Sequence, residues 1–406
     1  MDLKNLAERA ESEGFPEAAQ TLRRLADEGG AGFGQRLKAA RDRAGLSQKQ
    51  AARLAHLGFQ TYRNAERGYR APSPKTVAAL DRVPELRLTA DHAEPDWWHS
   101  DKFDPVGLFR GLRDTLGRNE GCLEPGHLYL DPAGAESYAA ITHAPSYEAM
   151  TREPCPIEDA AKTVRQALGK RFDVVLLGSG DGSLESRFVR LLPTPGAIIA
   201  VDISQALLSA AYTRLVDDFP ASRVFALQGD ITHLREHRQL AYRGTNVPVL
   251  VTMFGKTFAN LPNEGTFLDG LGVFQQSTVF VLDINLARGR TEAEIRKNDE
   301  ALIRGVPESY NEFLAGPLAR YLRGYKSATL SYELSRLSLR GAYSLDCWAD
   351  VTMFDGSKRR FRVAQFKRYS VETLLPLFAR HGWKHIATHG YKGMEQKAAL
   401  LVFERA

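Results

Sequence analysis

From about residue 172 the chain alternates short, continuous apolar runs with helix-length amphipathic stretches. The runs are FDVVLLG (172–178), AIIAVD (197–202), RVFALQGD (223–230), VPVLVTMFG (247–255) and TVFVLDIN (278–285). Apolar runs without polar alternation, spaced by amphipathic helices, predict a parallel sheet covered on both faces. The more polar stretch 288–342 predicts helix, and LDCWADVTMF and RRFRVAQF predict a hairpin around Asp355–Gly356. A helix over 371–381 and a strand over 397–403 close the chain. Upstream, residues 1–30 read as a helical hairpin broken at Gly14–Pro16 and stopped by Gly29–Gly30. Residues 33–86 read as four or five short helices with tight turns. LRLTADHAEPDWWH (86–99) lacks periodicity and holds Pro95, so it predicts a linker, with Trp97 and Trp98 docking it onto the second domain.

Charge collects in the helical module. Between Phe33 and Arg70 stand nine Lys or Arg against Asp42 and Glu66, a local charge of +7, so the rest of the chain sums to −2. A basic module on a near-neutral body is the distribution expected of a part that meets a polyanion. Within it, Ser47 is placed to cap a helix, Gln48 and Gln50 sit near that helix's start, and Ala51, Leu54 and Ala55 form its inward face. Leu57–Gly58 makes the tight turn, where glycine permits a positive φ. The next helix, Phe59 to Arg67, presents Gln60, Thr61, Arg63, Asn64 and Arg67; Tyr62 suits either a nucleic-acid contact or the core. These residues, with the ending Glu66–Arg67–Gly68, Arg70 and Pro72–Ser73–Pro74, resemble the Cro/C1-type (XRE) helix-turn-helix family. The resemblance implies a double-stranded DNA partner, contacted by Gln48, Gln60, Thr61, Arg63, Asn64 and Arg67. Such modules often pair on two half-sites, so a homodimer is the default expectation, with residues 1–30 as its first suspect.

In the second half the glycine loop LLGSGDGS (176–183) follows a buried strand and precedes a helix. Gly178, Gly180 and Gly182 let backbone approach a ligand closely, Ser179 is counted with Gly178 and Gly180 as cofactor-binding, and the helix N-terminus stabilises polar ligand groups. Glycine loops alone also serve nicotinamide enzymes and plain turns. Asp202, with Ile203 after it, ends the second strand, where a carboxylate accepts both hydroxyls of an adenosine ribose. Gly229–Asp230 ends the third, where an acid faces the adenine amino group. A dinucleotide enzyme needs a third glycine in GxGxxG, and Leu184–Glu185 lacks it. The set points to S-adenosylmethionine.

LYLDPAGAESYAAITHAPSYEAMTRE (128–153), MFGKTFANLPNEGTFL (253–268), VLDIN (281–285) and FKRYSVETLLPLFARHGW (366–383) together resemble the family of the L-histidine Nα-methyltransferase of ergothioneine biosynthesis. The resemblance spans about 105–406. It implies a doubly wound (Rossmann-like) class I methyltransferase domain with an appended α+β substrate subdomain, behind an all-α helix-turn-helix domain. The expected divisions are a hairpin (1–30), the DNA-binding domain (31–90), a linker (91–104), the cofactor-binding core (105–287), the substrate subdomain (288–370) and a return to the core sheet (371–406). By the match Gly255 falls beside the cofactor. Tyr147 and Asn260 carry catalysis and hold an amino-acid substrate, and Tyr310 and Phe366 line the substrate side. Ala364 and Phe366 stand where the family places a Glu and a Ser that grip imidazole, and Lys297–Asn298–Asp299 replaces its Tyr-Asp segment. A site without those partners selects histidine poorly, so a less polar amine is the expected acceptor.

The leading expectation is therefore an N-methyltransferase of a small amino-acid-like molecule, fused to a DNA-binding module. A regulator that senses S-adenosylmethionine or a metabolite, or a peptide or protein methyltransferase, stays open. DNA methylation is disfavoured, because the fourth strand ends in MFGKT rather than in the (D/N/S)PP(Y/F) motif. No metal is expected: Cys122, Cys155 and Cys347 are unpaired in spacing, and His381, His385 and His389 straddle the helix-ending Gly382. No apolar run is long enough for a membrane span and the start reads as no secretory leader, so a cytoplasmic protein is expected.

Overall fold

The computed structural model describes residues 37–38, 41–42, 46–67, 74–81, 83, 97–100, 103–148, 152–169, 171–237, 240, 247–274, 277–287, 291–297, 308–339 and 341–405. The hairpin at 1–30, most of the linker and Asn298–Asp299 lie outside them. The chain divides into two compact units, Met1–Asp96 and Trp97–Ala406.

In the first unit, α1 (Gln48–Leu54), α2 (Phe59–Arg67) and α3 (Pro74–Asp81) follow one another. Ser47 caps α1 in a capping box, its Oγ accepting from the Gln50 N–H at 3.3 Å while the Gln50 side chain accepts from the Ser47 N–H at 2.8 Å. Ala51, Ala55 and Tyr62 are buried, which places Tyr62 in the core; Leu54, expected inside, is 40% exposed. The left-handed residue of the turn is His56 (φ 51°), not Gly58, so the turn closes two residues earlier than the glycine suggests. Arg41 donates to Glu66 through Nε (2.7 Å) and Nη2 (3.0 Å), and the Gln48 amide donates to the same carboxylate at 2.7 Å. Burial alone would raise Glu66; these bonds hold it below the usual carboxylate range.

The second unit is built on an eight-stranded sheet. Its strands are β1 (Trp97–His99), β3 (Asp173–Leu177), β4 (Ala197–Asp202), β5 (Arg223–Gln228), β6 (Val249–Met253), β7 (Thr278–Asn285), β11 (Trp383–Tyr391) and β12 (Met394–Arg405), in the order β1-β5-β4-β3-β6-β7-β12-β11. All neighbours up to β7 are parallel; β12 runs antiparallel to β7 and to β11. Every residue of β4 and β6 is buried, as a sheet covered on both faces requires. One face packs on α12 (Val371–Arg380), α10 (Glu264–Gly270), Leu261 and Leu271; the other packs on α7 (Ile157–Leu168), α8 (Ser183–Val189) and α9 (Gln205–Asp218). In α7 the buried positions Ile157, Ala160, Ala161, Val164 and Leu168 fall on one stripe, with Glu158 and Asp159 favourably placed at its N-terminus.

A second sheet, β2 (Glu120–Cys122), β10 (Lys358–Arg368), β9 (Tyr343–Met353) and β8 (Tyr325–Arg336), packs on α4 (Pro105–Leu116), α5 (Pro132–Thr142) and α11 (Glu308–Tyr321), with Tyr147 of the short α6 (Pro145–Tyr147) against the same core. Here the structure departs from the expected long helical stretch, for residues 325–336 are a strand. Ala328, Leu330 and Tyr332 alternate inward onto the core, and the segment pairs along its length with β9. Residues 383–391 form a further strand hydrogen-bonded to β12, so His385 and His389 lie on β11, past the end of α12 as Gly382 suggests. Among the described residues no group of three His, Cys, Asp or Glu is arranged for a metal, and no helix is long and apolar enough to cross a membrane.

Candidate active site

The C-terminal ends of β3, β4, β5, β6 and β7 open into one cavity of about 760 Å³, within the roughly 300–1,000 Å³ typical of small-molecule sites. On its wall stand Gly178, Gly180, Asp202, Ile203, Asp230, Gly255, Tyr147, Asn260, Tyr310 and Phe366, all expected site residues. Ser179 and Gly229 are not on that wall. The Ser179 N–H donates to the Val201 carbonyl, and its Oγ is buried without a partner among the described residues. The Gly229 N–H donates to the Asp202 carbonyl, and its bare face lies against the His237 ring.

Conformation explains the loop composition. Gly178 and Gly180 have φ of 64° and 52°, and a Cβ on Gly178 would stand 3.1 Å from Thr257. The Gly180 N–H donates to Asp202 Oδ2 at 2.9 Å, and the Ser204 N–H donates to Oδ1 at 2.8 Å. Asp202 is thus fixed with its remaining lone pairs available to a ligand. Burial pushes its pKa up to about 6, against which those N–H bonds act. Asp230 Oδ1 accepts from the Thr232 N–H (2.8 Å) and Oγ1 (2.7 Å), capping the short turn after β5. After β6 two left-handed residues, Gly255 and Lys256, swing the chain into the turn Thr257–Asn260 that carries Asn260. The bare glycine loop, the fixed carboxylate at β4 and the second acid at β5 fit an adenosine-bearing cofactor.

Sequence reasoning missed three groups. Lys256 forms a half-buried ion pair with Asp283 and also donates to the Tyr391 hydroxyl, which donates to Asp283 at 3.0 Å. Asp283 Oδ2 accepts from the Gly255 N–H at 3.1 Å, so the network holds the β6 loop in shape. Asp181 in the glycine loop draws His143 (3.0 Å), Arg152 (3.6 Å) and Arg214 (3.7 Å). Finally, Tyr129, Tyr138, Tyr332 and Leu345 join Tyr147, Tyr310 and Phe366 in a largely aromatic wall drawn from the turn before α5, from α5, α6 and α11, and from the second sheet. Tyr129 and Tyr138 meet edge to face at 5.1 Å, and Tyr310 lies 6.3 Å from Phe366. Tyr332 donates to Asn311 at 3.1 Å, which takes Asn311 up in support of that wall. Burial raises Tyr129, Tyr138, Tyr310 and Tyr332 above the ordinary phenol range, so at neutral pH they are uncharged. Ala364 is not on the wall; Arg368 and Lys397 are. Among the described residues the acids on it are Glu124, Asp202 and Asp230, none from α11 or the second sheet's long strands.

Comparison with known proteins agrees with this geometry. Residues 108–286 match the family described as histidine-specific, S-adenosylmethionine-dependent methyltransferase, and residues 37–89 match a helix-turn-helix family. No curated protein matches the chain. Similar solved structures include an S-adenosylmethionine-dependent methyltransferase from Clostridium acetobutylicum, at 14% identity and a TM-score of 0.40, covering 67% of this chain and 98% of that one. Another is an amino pentose methyltransferase from Micromonospora echinaspora, at 14% identity and 0.36, covering 66% and 96%. The 1,6-didemethyltoxoflavin-N1-methyltransferase of Burkholderia thailandensis scores 0.36 at 9% identity, covering 68% and 88%. The first unit is thus similar to helix-turn-helix proteins, and the second to S-adenosylmethionine-dependent methyltransferases of the histidine-specific family.

Proposed function

We propose that the methyltransferase domain methylates the amine of a small amino-acid-like molecule whose side chain is less polar than imidazole. The observation that carries this is the composition of the cavity at the strand ends. Its cofactor end has a fixed carboxylate and bare glycines, while its other wall is Tyr310, Tyr332, Leu345 and Phe366, with no acid beside them among the described residues. Imidazole on that wall meets no carboxylate among the described residues, whereas an aromatic or aliphatic side chain buries apolar surface there. Arg368 and Lys397 give the cavity positive charge suited to an acceptor's carboxylate.

S-adenosylmethionine, when bound, supplies a methyl group on a positively charged sulfur. Asp202 holds the ribose hydroxyls, Asp230 faces the adenine amino group, and Gly178, Gly180 and Gly255 let the main chain close on the ligand. Asn260, with one carbonyl oxygen and two N–H donors, orients the acceptor's amine and carboxylate. Tyr147 and the surrounding neutral phenols exclude water and donate or accept hydrogen bonds without acting as charged bases. Catalysis then rests on positioning and desolvation of a neutral amine. Replacing Asn260 with Ala is expected to lower kcat/KM about 30-fold, the cost of about 2 kcal/mol of lost hydrogen bonding. Calorimetry should find the affinity for S-adenosylhomocysteine within about two-fold of the parent.

The helix-turn-helix match supports a double-stranded DNA partner for the first unit. Gln60, Thr61 and Arg67 are exposed on α2 and Arg63 and Asn64 half-exposed, while Gln48 already donates to Glu66. Gln60 donates to Asn64 at 2.9 Å, a bond that contact with a base edge would replace.

The test is methyl-labelled S-adenosylmethionine offered with separate amino acids and amines. Label is expected on acceptors with aromatic or aliphatic side chains in preference to histidine. Efficient labelling of histidine would refute the substrate class. Label in protein or nucleic acid would move the acceptor to a macromolecule, and cofactor binding with no label anywhere would favour a sensor.

A further inference from the structure

The strand through which the chain enters the second unit, β1, is the outermost of the large sheet and pairs with β5 in the register Trp97↔Ala226, Trp98↔Leu227, His99↔Gln228. Trp98 stacks on Phe225 with ring centroids 4.4 Å apart. The residue after the strand, Ser100, is buried; its N–H donates to the Gln228 carbonyl at 3.0 Å. Its hydroxyl lies 2.7 Å from His237 Nδ1, and His237 Nε2 lies 2.8 Å from the Asp230 carbonyl oxygen. A carbonyl only accepts, so Nε2 carries the proton, and Nδ1 accepts from the Ser100 hydroxyl. His237 is 1% exposed, and burial keeps its ring neutral by lowering its basicity. The same ring fills the space beside Gly229, where a Cβ would come within 2.8 Å of it.

We propose that Ser100 and His237 are positioning residues for the adenine end of the cofactor. One neutral imidazole ties the entry strand β1 to the main chain of Asp230, whose side chain borders the cavity. The inference rests on the reading of Asp230 as the adenine-facing acid. Loss of the His237 bond frees the Asp230 carbonyl and weakens cofactor binding without touching any ligand atom. Since coupling is reciprocal, cofactor binding in turn tightens β1 on the sheet, at the point where the chain arrives from the DNA-binding unit.

The experiment is calorimetry on the full chain with S-adenosylhomocysteine and with its analogue in which oxygen replaces the adenine 6-amino group. His237→Phe is expected to weaken S-adenosylhomocysteine about ten-fold, and Ser100→Ala about three-fold, with much smaller losses for the analogue. His237→Gln, whose amide N–H can still reach the Asp230 carbonyl, should recover most of the affinity. Asp230→Ala is the control: if it leaves binding unchanged, the adenine reading fails and this inference with it. If Asp230→Ala weakens binding while His237→Phe and Ser100→Ala do not, the positioning role alone is overturned. Hydrogen exchange on the unaltered chain checks the same link without any substitution. Saturating S-adenosylhomocysteine should slow exchange of the Ser100 amide, and an unchanged rate would count against the coupling.

Discussion

Asp202→Ala is expected to weaken S-adenosylmethionine binding by about a thousand-fold. Two oxygens of this carboxylate are already fixed by the Gly180 and Ser204 N–H groups, and the residue is 7% exposed on the cavity wall. A side chain so held reaches a ribose without further ordering, and each hydrogen bond from a hydroxyl to a buried charge contributes about 1.5–3 kcal/mol. Two such bonds give the expected factor, read by calorimetry; a loss under ten-fold would remove Asp202 from the ligand. The pH dependence carries a second check. The ligand requires the ionised form, and burial sets its acidity near 6 in the free protein. Affinity should be flat above about pH 7 and fall toward ten-fold per unit below 6, with the fall absent from the Ala variant.

The parts of this architecture that were legible in the sequence are those that a short stretch decides alone. Strands β3 to β7 announce themselves because a parallel strand buried on both faces leaves no polar positions, as AIIAVD and VLVTM do not until their ends. The glycine loop and Asp202 sit at a strand end for the same local reason. Strand β8 was hidden: SATLSYELS satisfies a helical reading equally well, and only pairing with β9 selects the extended form. Gly58 invited a left-handed residue that the chain places at His56. The network of Lys256, Asp283 and Tyr391 joins three elements, the last of them 135 residues from the first, and no motif spacing encodes it. The aromatic wall was half visible through Tyr147, Tyr310 and Phe366. Tyr332 and Leu345 completed it only once residues 325–336 were a strand paired with β9.

Glu185→Gln is expected to stabilise the protein at alkaline pH by several kcal/mol and to flatten its pH profile. Glu185 lies in the first turn of α8, 6% exposed, and burial pushes it from 4.5 to about 8, helped by the neighbouring charges of Asp181 and Asp202. The sign follows from which state holds the proton. Between about pH 4.5 and 8 the folded chain keeps Glu185 protonated while the unfolded chain has released that proton, so folding becomes less favourable as pH rises through this window. The stability present below 4.5 is lost by the time pH passes 8, an effect on the order of 5 kcal/mol at about 1.4 kcal/mol per pH unit. Glutamine keeps the shape and cannot ionise. Denaturant unfolding at pH 5, 7 and 8.5 should therefore find the two proteins close at pH 5 and the variant more stable at pH 8.5. Parallel profiles would show that Glu185 is solvated well enough to ionise normally.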